Sequence, residues 1–554
     1  MNPAIYFAPD GYALNGPKLM GRQAAGNGFL RAAVAARGDE PLYGYAPHQR
    51  TGESFAAMVR ALDPAATPVW IPANRLDLVA QRGTFYRPDQ VLAPAARLRL
   101  RAGPAAYSIC GVTHTIASQG AMSATAELLT APLMGWDAVI CTSSVARRSL
   151  QTMIEAQKDY LGWRFGLPAA PPTPQLPVIP LGVHCDDFAF TDEERVEARR
   201  LLGIAEDEVV ALFAGRLTFS GKAHPHAMYA ALQRAVEETG RKVVLIQAGQ
   251  FASPSLEGIY HSAVAEFCPA VRSIFVDGKA NDLYRAAWRG ADFFVSLSDN
   301  IQETFGLTPV EAMAAGLPVL VSDWNGYKDT VRDGIDGFRI RTWAPAAPAS
   351  VAAARDHEAE VNNYDYYLSR TSTTVSMDWR QLRAATNTLV TDSAARRALG
   401  ESARRRAREV LDWSVVYRQY QELWAELAAV RLKARDDPSV QAWLATAPKA
   451  GPNNLDPFEV FASYPTATIG PGTLVRRSPD ASVERYLSLT GHTMMKMWAS
   501  PAQGVENLLR RLGDEVWSVQ ALADAGRAPT LLVVEMVSRL AKLGLLELHA
   551  EVET

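Results

Sequence analysis

The sequence predicts an α/β protein made of two parallel-sheet halves and a smaller helical tail. Three observations carry this. Short apolar runs alternate with helix-patterned stretches from Ala4 to about Val430; the pattern breaks at a Pro-rich stretch, Leu167 to Pro177, and restarts after Pro180-Leu-Gly-Val-His184; and the texture changes again beyond Pro448. Such alternation forms parallel sheets covered by helices. At roughly 150 residues per domain, the expected division is 1–184, 185–447 and 448–554.

In the first half the expected strands are Ala4 to Ala8, Tyr107 to Val112, Ala138 to Cys141 and Val178 to Ile179, with helices near Gly21 to Ala36 and Ser144 to Tyr160. The second half reads helix Asp192 to Leu202, strand Val209 to Ala214, helix Pro225 to Glu238, strand Lys242 to Ala248 and helix Leu256 to Phe267. It continues with strand Arg272 to Val276, helix Asn281 to Arg289, strand Phe293 to Ser296, helix Pro309 to Ala315 and strand Pro318 to Ser322. Asp336-Gly-Phe-Arg-Ile340 turns into a further strand, Ala344 to Ala354 reads as an Ala/Pro-rich insertion or loop, and two helices, about Ser393 to Val410 and Ser414 to Arg431, close the half. Pro448 to Pro457 is linker-like. Ala521 to Glu547 reads as helix, turn, helix and short strand, with apolar spacing that suits a winged helix or another small helical bundle.

Composition narrows the class. With 48% hydrophobic and 21% charged residues, collagen-like and disordered chains are excluded. Lys+Arg 56 against Asp+Glu 59 leaves a net charge of -3, so no global basic field points to nucleic acid. The tail from Lys449 to Thr554 holds ten Lys/Arg and twelve Asp/Glu, which favours protein contact or dimerisation over DNA reading. Arg396-Arg397 and Arg404 to Arg408 form a basic helix interleaved by Glu401 and Glu409, as on a solvated face. Cys110, Cys141, Cys185 and Cys268 are scattered, with no metal or redox spacing. Neither a signal-peptide pattern at Met1 nor a membrane-length apolar run is present, so the expected location is the cytoplasm, with membrane contact at most peripheral at its inner face.

The segment richest in chemistry is Ser296-Leu-Ser-Asp-Asn-Ile-Gln-Glu303-Thr-Phe-Gly-Leu-Thr-Pro-Val-Glu311-Ala-Met-Ala-Ala-Gly316. It sets two carboxylates eight residues apart where a strand ends and a helix begins, the position at which open α/β sheets bind ligands. Backbone amides of Phe305, Gly306 and Leu307 near a helix N-terminus suit phosphate. Glu303 shows no capping role. Glu311 has two readings: a ligand contact, or the closing member of a capping box with Thr308. Upstream, Gly215-Arg216-Leu-Thr-Phe-Ser-Gly221-Lys222 follows a strand of the same sheet and carries two cations six residues apart. They are either ordinary loop charges or, at the same crevice, phosphate ligands. In the first half, Cys110-Gly-Val-Thr-His114 puts an imidazole at a strand end.

Gly215-Arg216…Lys222, Glu303-x-Phe305-Gly306…Glu311-Ala-Met-Ala-Ala-Gly-Leu-Pro-Val and Gly334-x-x-Gly337-Phe resemble the nucleotide-sugar domain of glycosyltransferase family 4 (glycosyl transferases group 1). Asp137-Ala-Val-Ile-Cys-Thr-Ser-Ser144, Pro177 to His184 and Asp412-Trp413-Ser414 extend the likeness over about Ala4 to Val430. The resemblance implies a GT-B architecture, two facing Rossmann-like domains with the acceptor mostly on the first and the donor mostly on the second, and a retaining transfer from a nucleotide-diphosphate sugar. By motif position, Arg216 and Lys222 bind the donor diphosphate and stabilise its departure, and Glu303 contacts the sugar. Gly215 and Thr304 to Leu307 line the donor, Glu311 holds the ribose, and His114 lies near acceptor and transferred sugar. Where relatives carry a glycine doublet reaching the donor, Asn15-Gly16-Pro-Lys-Leu-Met-Gly21-Arg22 has Gly21 alone at the helix start.

Bond cleavage leaves negative charge on the diphosphate, which two cations can balance as a metal does elsewhere. No Asp-x-Asp pair stands out, Asp186-Asp187 reading as a surface or capping feature, so neither metal nor cofactor is expected beyond the donor substrate. The acceptor is a glycan, lipid-linked or small-molecule one. Two other readings share the motifs: a non-catalytic nucleotide-sugar-binding regulator and a GT-B phosphorylase.

Overall fold

The computed structural model describes residues 2–14, 21–166, 172–219 and 221–549. The chain forms two compact units, Met1–Gly451 and Pro452–Thr554.

The first unit contains both predicted sheets. Strands β1 (Ala4–Tyr6), β2 (Leu42–Ala46), β3 (Pro68–Pro72), β4 (Thr84–Tyr86), β5 (Ser108–Val112) and β6 (Ala138–Ile140) form one sheet in the order β3-β2-β1-β4-β5-β6. Strands β7 (Val209–Ala214), β8 (Val243–Gly249), β9 (Arg272–Asp277), β10 (Phe293–Ser296), β11 (Val319–Ser322) and β12 (Gly337–Ile340) form the other, in the order β12-β11-β10-β7-β8-β9. Every pairing in both sheets is parallel. Both are doubly wound: the order reverses between β1 and β4 and between β7 and β10, which opens a crevice beyond the C-terminal ends of those strands. Their central strands are buried on both faces and read as continuous apolar runs, as in Val209-Val-Ala-Leu-Phe-Ala214.

The second sheet follows the sequence pattern to within a residue or two. The first departs from it. β2 is interrupted by Gly44, β3 is bounded by Pro68 and Pro72, and β4 is only three residues long, so none of them offers a long apolar run. Val178–Ile179 is not a strand; Val178 makes one isolated bridge to Cys141. Ala344 to Ser350 hold no helix or strand, as expected of a loop, but the helix Val351–Glu358 begins before Ala354; beyond it a second helix, Tyr364–Ser372, leads to β14 (Ser376–Met377), which pairs antiparallel with β13 (Thr342–Trp343). The basic helix is only partly solvated. Arg404 donates to the Ala315 carbonyl at 2.9 Å, and Arg406 to the carbonyls of Thr330 and Asp329 at 2.8 and 2.9 Å, because those carbonyls end elements that the helix Ser393–Arg406 covers.

The long helix Trp413–Asp436 ties the two sheets together. It follows the second sheet in sequence but packs on β5 and on the helix Gly21–Ala35 of the first. Phe29 stacks on Tyr86 at 4.2 Å between centroids, with Tyr417, Tyr420 and Trp424 around them. Trp413 approaches the first lobe so closely that a Cβ on Gly28 would sit 2.4 Å from its indole nitrogen. Backbone bonds from Val183 N to Leu411 O (2.9 Å) and from Trp413 N to Val183 O (3.1 Å) fix the crossing. Beneath the first sheet, Arg99 and Asp137 form a fully buried pair at 2.6 Å, and Asp137 also accepts the amides of Ile109 and Met134.

The second unit has β15 (Leu474–Arg477) at the centre of a three-stranded antiparallel sheet, flanked by β16 (Trp517–Ser518) and β17 (Leu546–His549). Helices Val519–Gly526 and Thr530–Lys542, preceded by Val483–Gly491 and Ala502–Leu512, bury Val475, Tyr486, Leu509, Leu522 and Val537. Among the described residues, no helix is long and apolar enough to cross a membrane.

Candidate functional site

β7 and β10 are neighbours, Phe293 standing opposite Ala211, so the turns that leave their C-terminal ends meet at the crevice. The first turn brings Lys222 and the second Glu303. Their side chains pair at 2.7 Å, each about 15% exposed (15% and 16%). The other Glu303 oxygen accepts the amides of Thr304 (3.2 Å) and Phe305 (3.4 Å). Burial opposes ionisation of Glu303, but the Lys222 charge and these donors outweigh it and hold the carboxyl below its usual range. Burial likewise opposes the Lys222 charge, and Glu303 outweighs that, raising the ammonium above its usual range. The site therefore holds a fixed ion pair at neutral pH. The Phe305 amide, expected to face a ligand, is turned onto Glu303 instead, because that carboxylate lies two residues back on the same turn.

Arg216 is exposed and donates to the Gly221 carbonyl at 3.2 Å; its charge is close enough to oppose that of Lys222. Gly215, between β7 and Arg216, lies against the Lys222 stem. Gly306 ends the second turn at φ 86°, where a Cβ would come within 2.1 Å of the Tyr327 ring, and Leu307 opens the helix Leu307–Ala314. Tyr327 in turn pairs with Ser296 at 2.9 Å, so the turn rests on a rigid floor.

The capping-box reading of Glu311 fails. Gly306 is the N-cap, the helix start carries no side-chain cap, and the Thr308 hydroxyl is buried without a partner. The helix begins two residues before the predicted Pro309, which moves Thr308 inside it. The Glu311 carboxylate has no hydrogen bond among the described residues, and burial pushes it up to about 7 against the pull of Lys222. A part-buried carboxylate without donors keeps its capacity to accept hydrogen bonds.

The first lobe meets this turn through Thr304. The Thr304 hydroxyl donates to the His114 carbonyl at 2.9 Å, and its own carbonyl accepts from Ser143 Oγ at 2.8 Å. Ser144 binds Asp329 of the second lobe, its hydroxyl at 2.7 Å. The His114 ring places Nε2 2.8 Å from the Pro88 carbonyl. A carbonyl only accepts, so Nε2 carries hydrogen, and burial lowers the ring pKa, leaving neutral imidazole with Nδ1 as acceptor. Gly21 opens its helix at an exposed position, beside Arg22, whose charge reaches His114. The loop residues Asn15 to Met20 lie outside the described residues. Asp187 pairs with Arg31 at 2.6 Å, a link between lobes.

Two residues at the site escaped the sequence reading. Asp299, four residues before Glu303, is 7% exposed; one oxygen accepts the His224 amide at 3.3 Å, the other has no partner, and burial pushes the carboxyl up to about 7. Its position in the quoted acidic segment was the available signal. Tyr364 opens the helix Tyr364–Ser372, beyond the stretch read as an insertion, and had none: its hydroxyl lies 3.3 Å from Thr115 Oγ1, beside His114, and Arg216 is close enough to bias its titration.

The segment that carries this crevice resembles known proteins. Residues 194–353 match the family model of glycosyl transferases group 1. The segment covers β7 to β13, and with them Arg216, Lys222, Asp299, Glu303 and Glu311. Relatives include D-inositol 3-phosphate glycosyltransferases of Geodermatophilus obscurus (33% identity over 182 residues, 32% of this chain and 39% of that protein) and of Actinosynnema mirum (35% over 211 residues, 36% and 48%). The chain thus matches less than half the length of these curated relatives. Among solved structures, Anabaena Alr3699/HepE in complex with UDP superposes over 77% of this chain and all of its own, with a TM-score of 0.51 at 15% identity. The fold is GT-B, with an additional C-terminal domain.

Proposed function

We propose that the protein is a retaining, metal-independent glycosyltransferase of family 4 that moves a hexosyl group from a nucleoside-diphosphate sugar to a glycan, lipid-linked or small-molecule acceptor. The observation that carries this is the Lys222–Glu303 ion pair at the crevice of a segment matching glycosyl transferases group 1. One ammonium hydrogen of Lys222 is held by Glu303, which leaves two for diphosphate oxygens. Arg216 adds a second cation at the rim, and the Gly306 and Leu307 amides at the start of their helix favour the same anion. As the glycosyl–phosphate bond breaks, these groups stabilise the charge that grows on the leaving diphosphate.

Glu303, ionised by its partners, accepts a hydroxyl of the transferred sugar and favours the positive charge that develops on its ring. Glu311, lacking donors, takes the vicinal hydroxyls of the ribose, which restores its charged form. The neutral His114 offers Nδ1 to a sugar or acceptor hydroxyl. The enzyme is placed in the cytoplasm, with membrane contact, where it occurs, peripheral; the tail serves as a winged-helix-like protein-contacting module. The test is thermal stabilisation by uridine, guanosine and adenosine diphosphate sugars, followed by proton NMR of the product anomer. A donor that raises the melting temperature and a product of unchanged anomeric configuration are expected. No stabilisation by any donor, or release of sugar 1-phosphate with inorganic phosphate alone, overturns the reading.

A further inference from the structure

A cavity of about 1110 Å³ lies at the opposite end of the first sheet from His114, beside the N-terminal ends of β4 and β5. With β5 five residues long, the two ends stand about 17 Å apart. Its walls come from two sources: the turns around Gly83 and Pro104 on the first lobe, and the end of the helix Trp413–Asp436 with the short helix Pro438–Ala445 that follows it.

Three arginines face it. Arg431 is 5% exposed yet has no carboxylate: its donors reach only Ser108 Oγ (3.3 Å) and the carbonyls of Ala105 and Ala106 (3.3 and 3.1 Å). The nearest acid whose charge it feels, Asp137, is already neutralised by Arg99. Its Nη2 lies against Gly83, where an added Cβ would be 3.2 Å away. Arg82, over the Tyr43 ring at 4.3 Å, and Arg435 have no ion-pair partner among the described residues either. Asp436 is the one acid in the lining. A buried guanidinium bonded to neutral acceptors alone, with two further unpaired guanidiniums around one cavity, leaves a net positive charge that folding does not balance. Guanidiniums bind phosphate bidentately, and a cavity of this size admits a metabolite-sized molecule.

We propose that this cavity is a second anion site, separate from the crevice, that binds a phosphate-bearing small molecule between the first lobe and the long helix. Arg431 forms its floor, and Arg82 and Arg435 its two sides. Because that helix also carries Trp413 at the crossing between lobes, an occupant fastens the helix to the first lobe.

The test is hydrogen–deuterium exchange of the full chain with inorganic pyrophosphate, read at residues 102–106 and 431–445, with affinity from titration. Pyrophosphate is expected to slow exchange there in the unmodified protein and equally in Lys222→Ala, which separates this site from the crevice and from the fate of the function proposed for it. Arg82→Ala/Arg435→Ala changes side chains outside the core, so the fold is kept; it is expected to weaken this binding about tenfold or more and to abolish the protection. A phosphate reaches such a site on a soluble molecule or on a lipid headgroup, and arms with glycerol 3-phosphate and dihexanoyl phosphatidate tell these apart. Absence of protection with all three probes, or protection that survives the double substitution, overturns the proposal.

Discussion

The two lobes furnish the crevice by different physics. The second lobe supplies charge: Lys222 and Glu303 locked at 2.7 Å, Arg216 at the rim, and two carboxyls, Glu311 and Asp299, that burial pushes up to about 7. The first lobe supplies neutral groups held in place, namely the His114 carbonyl and imidazole and the hydroxyls of Thr115, Ser143 and Ser144. Fixed charges in a partly dry crevice act strongly on a leaving group, whereas neutral hydrogen-bonding groups position an incoming one with little effect on charge. The contrast teaches that the charge of the crevice is preset within the second lobe, while the first contributes mainly geometry.

The sharpest way to break this contrast is Lys222→Ala, expected to lower turnover about 10³-fold at saturating donor. Because the ion pair is largely buried, the same change leaves Glu303 without its partner and lowers the melting temperature; a Lys222→Ala/Glu303→Ala double variant recovers part of that stability but none of the turnover. Near-normal turnover in the single variant removes the electrostatic account of the second lobe.

Next in size is Asp299→Asn. The folded carboxyl titrates near 7, above the unfolded value near 4. The folded state therefore keeps a proton that the unfolded chain has lost, and this group's contribution to stability falls as pH rises from about 4 through 7. The variant is expected to be more stable by on the order of 4 kcal/mol at pH 8, and by about a third of that at pH 5, in urea unfolding. An unchanged pH profile contradicts a buried, unpaired Asp299.

His114→Ala, on the neutral side, is expected to cost about tenfold in turnover with donor affinity unchanged; a loss as deep as that of Lys222→Ala erases the distinction between lobes. Tyr364→Phe removes only a hydroxyl contact, so the acceptor KM rises by about threefold while donor KM and melting temperature hold. A change in donor KM instead assigns that helix to the donor side.

Legibility followed the same division. The inner strands of the second sheet, such as β7, β10 and β11, are doubly buried apolar runs bounded by turn residues, and the acidic turn after β10 was readable because Glu303, Gly306 and Glu311 occupy fixed places around a strand-to-helix junction. The first sheet was half hidden: Leu42-Tyr-Gly-Tyr-Ala46 and Pro68-Val-Trp-Ile-Pro72 gain their strand character from neighbours in the sheet rather than from local preference. Thr308-x-x-Glu311 was a cap by spacing alone; the choice of Gly306 as N-cap moved both residues two positions inward.

The sequence by itself determined the α/β class, the two-lobed division and the set of charged residues at the second lobe's strand ends, because local apolar periodicity and turn chemistry are short-range properties. Only the tertiary structure decided which charges pair, which carboxyls are left without donors, that the helix Trp413–Asp436 returns to the first lobe, and that Tyr364 reaches Thr115 across 249 residues of chain. Those outcomes rest on burial and on contacts distant in sequence, and burial is a property that a residue acquires only from the packing around it.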